Sequence, residues 1–93
     1  VKPLSVMMDA DRVAWQLAEE MRDRLPEEAR VTMYCTLGTG DTFDAVTAIM
    51  ELAVRHQQTV AHNTVRQLHA WLDGYRGNPD EPRMRAAIHA ITP

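Results

Sequence analysis

Apolar residues recur along this chain at intervals of three and four, the spacing of a helix that turns one face to a core. Val13, Ala14, Leu17, Met21 and Leu25 form one such stripe and predict a helix over about residues 10–25. Asp9 is placed to cap it, Asp11 stands in its first turn where the helix dipole favours acid, and Pro26 ends it. Glu20 and Arg24 form an i,i+4 pair on its wet side. Trp15 lies off the stripe and reads as a second packing contact, with a partner anchor as the functional alternative. Residues 1–8 contain Pro3 and read as an N-terminal arm ahead of a single helical domain at 9–93. The alternation of Leu4, Val6 and Met8 offers an edge strand instead.

The longest stripe runs from residue 42 to 75. Phe43, Val46, Met50, Ala53, Val60, Ala61, Leu68, Trp71, Leu72 and Tyr75 stay within one broad sector, and only Gln57 and Thr64 interrupt it. One continuous helix there would be roughly 50 Å long and would imply a dimer. A helical hairpin broken near Gln57–Val60, with Thr59 capping its second half, agrees better with ordinary helix lengths and is preferred. Asp41-Thr42-Phe43-Asp44 has the form of a capping box at the start, with an acid at the third helical position.

Two segments remain. Pro26-Glu27-Glu28 is a good helix start, but residues 30–37 also alternate as a strand, with Val31, Met33, Cys35 and Leu37 on one face. A lone strand has no sheet to join, so helix is preferred. Asn78-Pro79 is a turn, Asp80 can cap a last helix to Ile91, and Met84, Ala87, Ile88 and Ile91 are its buried side. The sum is an all-α fold, a small bundle of four or five amphipathic helices, with 30–37 alone readable as a short strand.

Composition narrows the chemistry. The chain has 93 residues, net charge −3, one cysteine and six methionines. A single Cys35 excludes an internal disulfide and any cysteine-based zinc site, reads as a buried free thiol, and points to the cytoplasm. The net negative charge supplies no pull toward nucleic acid or anionic lipid. No apolar run is long enough for a membrane span, and no secretory leader is expected. One lysine against nine arginines is the bias that GC-rich coding sequence leaves, and the initial valine fits an alternative start codon, with Met7 or Met8 as rivals.

No catalytic, cofactor-binding or metal-ligating residue is expected. His56, His62, His69 and His89 lack the i,i+3 or i,i+4 spacing of a helical metal pair; His62 and His69, seven apart, stand about 10 Å apart along the axis. Gly38-Thr39-Gly40 leads into a helix N-terminus, but the Gly-Lys-Ser/Thr ending of a phosphate loop is missing and Asp41 and Asp44 would repel an anion. Ser5 is the sole serine and lies in the arm. Glu19, Glu20, Asp23, Glu27 and Glu28 are mixed with Arg22, Arg24 and Arg30, as on a solvated surface.

The leading expectation is therefore a non-enzymatic, cytoplasmic protein acting through protein contacts, often as a homodimer, with Leu68, Trp71, Leu72 and Tyr75 as the self-association stripe. The alternative rests on Glu51-Leu52-Ala53 followed by His62-Asn63-Thr64-Val65-Arg66, which resembles a helix-turn-helix. That resemblance covers about twenty residues and implies a DNA-binding regulator reading bases through the helix around 62–72, with His62, Asn63, Arg66 and His69 as contacts. Residues 60–93 carry four arginines against three acids, which is little electrostatic drive.

Overall fold

A computed structural model describes the backbone of residues 2–38 and 41–93 and the side chains of residues 12–38 and 41–93. Five helices follow one another: α1 Lys2–Arg22, α2 Glu27–Gly38, α3 Thr42–Arg55, α4 His62–Asp73 and α5 Glu81–Ile91. They take up 75% of the chain and no strand occurs among the described residues, so the fold is all-α. The expected turn at Gly38-Thr39-Gly40 lies, from Thr39 on, outside the described residues.

The central helix is α3, which packs against α1, α2 and α5; α4 packs against α1 and α5. Its amphipathic pattern places Ala45, Val46, Ile49, Met50, Leu52 and Ala53 inside. Ala14, Leu17, Met21 and Leu25 meet them from the first stripe, and Met84, Ile88 and Ile91 from the last. The radius of gyration, 12.5 Å, is close to the ~12 Å of a compact chain this long, so the helices need no second copy to bury their stripes.

Three elements depart from the sequence pattern. Residues 2–8, read as an arm or edge strand, form the first turns of α1, and the helix that was to begin near residue 10 begins at Lys2. Pro3 does not oppose this, because proline is accepted in a first turn where its missing N–H would be unpaired anyway. Residues 30–37 are helical throughout. The hydroxyls of Thr32 and Thr36 donate to the carbonyls of Glu28 (3.1 Å) and Thr32 (2.9 Å), so the β-branched residues that argued for a strand are accommodated in the helix.

The third departure is the break in the long stripe. It falls at residues 56–61, six residues between α3 and α4, which settles the choice between one long helix and two. Gln57 has φ +56°, the left-handed conformation that ends helices and that glycine normally supplies. The Gln57 N–H donates to Val54 O and the Gln58 N–H to Ala53 O, the paired bonds of a Schellman cap. A side chain at this position carries a steric penalty of about 1 kcal/mol. Gln57→Gly is expected to stabilise the fold by about 0.5–1 kcal/mol, with part of that gain offset by unfolded-state entropy. Urea denaturation checks this; a loss of stability would mean that Gln57 does not hold this conformation in solution.

α3 is capped as the sequence indicates, by Asp41 accepting from the Asp44 N–H at 3.1 Å. Two other expected caps are not made. The residue preceding α4 is Ala61, not Thr59, and the Asp80 side chain makes no cap bond to α5 but lies 3.7 Å from Arg83.

Candidate interaction surface

α4 carries both sets of residues singled out from the sequence, and it separates them. Leu68 and Leu72 are 0% exposed within one chain. Trp71 and Tyr75 are half-buried, in a mutual cluster with Phe43 of α3 at ring distances of 5.6 Å (Phe43–Trp71), 4.8 Å (Phe43–Tyr75) and 5.1 Å (Trp71–Tyr75). The expected self-association stripe is therefore core, and its two leucines present nothing to a second copy. Trp71 is less buried than Leu68, as its size predicts, yet its indole N–H is buried with no partner among the described residues.

Of the residues expected to face a duplex, His62, Asn63 and Arg66 are exposed on the first two turns of α4, while His69 is turned toward α5. Arg85 Nη1 lies 2.8 Å from His69 Nδ1, which accepts only with the ring proton on Nε2. The His89 ring is 5.9 Å away. Arg85 also donates to Glu81 (2.6 Å) and to Asp73, so one guanidinium ties α4 to α5. Among the described residues no three of His, Cys, Asp and Glu are arranged to hold a metal ion.

The hydrogen bond from Arg85, against a smaller opposing effect of burial, holds the Asp73 carboxyl below its ordinary value, helped by the charges of Arg85, Arg76 and His69. A carboxyl whose folded value is depressed stabilises the fold above its unfolded pKa, near 4, and loses that contribution as pH falls through the lower folded value. The melting temperature of the wild type is expected to fall more steeply than that of Asp73→Asn between about pH 5 and pH 2.5. Parallel curves would mean that the Asp73–Arg85 contact is not formed.

The start of α4 is held from another helix. The Glu20 carboxylate, on α1, accepts the Ala61 N–H at 2.9 Å and the buried Thr64 hydroxyl, and Gln16 Nε2 donates to that hydroxyl at 3.3 Å. Glu20 is thus not paired along its own helix with Arg24, whose guanidinium instead donates to the carbonyl of Thr59. A carboxylate at this position complements the positive end of α4 and leaves negative charge where a phosphate would approach. α3 and α4 do not pack backbone to backbone; they meet through the aromatic cluster, across a connection longer than the 3–4 residues of a helix-turn-helix.

Exposed apolar surface is concentrated elsewhere. Trp15 (52% exposed), Val31 (58%) and Tyr34 (38%) are three of the four exposed large hydrophobics, and all three belong to α1 and α2. Trp15 is thus not the packing contact expected of it. Val31, Tyr34 and Cys35 follow the i, i+3, i+4 spacing of one helix side. They line a shallow groove of about 620 Å³ with Arg22, Asp23 and Arg30. Cys35 is exposed, not buried as its type suggests. α2 has apolar residues on both sides: Ala29 and Met33 fill the core, and the opposite side remains in solvent.

No family model, curated protein or solved structure matches this chain. Among the described residues no helix is long and apolar enough to cross a membrane.

Proposed function

We propose that this chain is a non-enzymatic protein that works by docking another protein, and that the outer side of α2 with its adjoining groove is the contact surface. The observation that carries the reading is the exposure of Val31, Tyr34 and Trp15 on α1 and α2, in a protein whose core is already filled by twenty buried hydrophobic residues. Apolar groups in excess of what a core requires, gathered on one side of a monomer, mark interaction sites more often than chance scatter. Trp, Tyr and Arg are also the residue types that dominate contact energies at protein interfaces. An exposed, unpaired thiol at Cys35 favours a reducing compartment, the cytoplasm.

A DNA-binding role would fall to His62, Asn63 and Arg66. The Glu20 carboxylate at that helix end and the engagement of His69 by Arg85 give it less support.

The test is photo-crosslinking in the cells that express the protein, from an amino acid placed at position 31 and, separately, at position 66. A discrete protein adduct from position 31, lost in Tyr34→Ala, is expected. Adducts from position 66 alone, or adducts to nucleic acid, would overturn the reading.

A further inference from the structure

We infer that the groove beside α2 takes an amphipathic, acidic segment of a different protein, with apolar side chains on Val31 and Tyr34 and a carboxylate on Arg30 and Arg22. This rests on the contact reading of α2 above and adds the chemistry of the partner.

Three observations lead there. The first is charge. The chain as a whole is −3, yet the groove is lined by two arginines against one aspartate. Arg22 has only exposed acids near it, Glu19 at 3.6 Å and Asp23 at 3.7 Å. Arg30 donates to the carbonyl of Arg22 at 3.3 Å and has no carboxylate partner among the described residues. Its side chain is half-buried at the groove, so its charge is positioned but not neutralised.

The second is shape. A twofold contact about this groove would set one groove against its own copy and leave both unfilled, because an isologous interface presents the same patch to itself. A ridge from another chain fills it, and a helix laying its apolar side into a groove is a common form of such a ridge.

The third is the neighbouring surface. Trp15 and Arg22 are seven residues apart and share one side of α1. Arg22 lines the groove, so that side of α1 continues the apolar and cationic lining toward Trp15. Together the surface offers aromatic and aliphatic contact at its centre with cations at its margin, the complement of an amphipathic acidic segment.

The probes are two synthetic helical peptides of about fourteen residues with the same leucine side, one flanked by glutamates and the other by lysines. Each is titrated at low salt into the full isotope-labelled chain, with backbone amide shifts as the readout. The glutamate peptide is expected to bind about fivefold more tightly, the ratio that two exposed ion pairs contribute, and to move the amides of residues 22, 30, 31, 34 and 35. Arg30→Glu should reverse the preference without altering the melting temperature by more than a few degrees. Equal binding of both peptides on α2, or a preference for the lysine peptide, would overturn the acidic partner while leaving α2 as a contact surface. Groove amides that shift when the chain alone is concentrated would make the occupant a second copy. Shifts confined to other helices would overturn both readings.

Discussion

Leu68→Ala is expected to destabilise the protein by about 2–5 kcal/mol, the range for removing a large aliphatic side chain from a packed interior. Leu68 has no exposure and lies on α4 where that helix meets α1 and α5. The neighbours that would have to collapse into the void are themselves pinned. Leu72 is fully buried one turn on, Thr64 one turn back is bonded to Glu20, and His69 is bonded to Arg85. A site fixed on all sides relaxes little, which places the loss toward the upper part of the range. For a chain this size, whose total stability is on the order of 5–14 kcal/mol, that is a large fraction, and the melting temperature should fall by at least about 10 °C. Because the burial lies within one chain, the wild-type and mutant midpoints should be unchanged over a tenfold range of protein concentration. A mutant within 1 kcal/mol of the wild type, or a midpoint that rises with concentration, would mean that Leu68 is shared with a second copy.

Most of the helical framework is legible from periodicity because each core stripe has one dominant direction. The stripe from Ala14 to Leu25 and the one from Met84 to Ile91 are buried as their spacing indicates. Asp41 caps α3 with the acid three residues on, as the local pattern suggests. The long run from 42 to 75 was ambiguous because its apolar phase carries through the break. Its only two polar interruptions turn out to mark the departures from a continuous helix. Gln57 takes the left-handed conformation that ends α3, and Thr64 is buried at 1% exposure against a carboxylate from α1. A polar residue on an apolar sector is thus informative here about long-range partners as well as about loops.

The contact surface was not legible for a related reason. Val31, Met33, Tyr34, Cys35 and Leu37 surround α2, so no single direction stands out, and only the docking of α2 on α3 and α1 decides which of them remain outside. Met33 goes in; Val31 and Tyr34 stay out. The same limit applies to polar groups. Glu81 and Arg85 are four apart and readable as a pair, but the attachment of Arg85 to His69 and Asp73 depends on how α5 lies on α4. Assigning Leu68 and Leu72 to self-association failed because a stripe looks the same in sequence whether it packs on its own chain or on a copy.

Glu20→Ala is expected to cost about 1.5–3 kcal/mol, a large effect for a residue on a helix surface. The reason is that α4 has no cap of its own: Ala61 occupies the position where a serine, threonine or aspartate would accept from the first turn. In a capping box, a glutamate at the third helical position reaches back to the cap residue's N–H. Thr64 stands at that third position instead, and Glu20 supplies the carboxylate from α1, taking the Ala61 N–H and the Thr64 hydroxyl together. Removing it leaves an N–H and a buried hydroxyl short of an acceptor and withdraws a negative charge from the positive end of the helix dipole. Because the carboxylate does two things, the loss should be non-additive. In a Thr64→Val background the hydroxyl no longer needs a partner, and Glu20→Ala should cost less by about 0.5 kcal/mol or more. Ala61→Asp should recover about 1 kcal/mol in the Glu20→Ala protein, since it restores a local acceptor, and should recover less in the wild type, where the two carboxylates would repel. Chemical denaturation of the five proteins measures each of these differences. Strict additivity, or a Glu20→Ala protein within 0.5 kcal/mol of the wild type, would show that α4 is held by its buried side alone and that the carboxylate does not cap it.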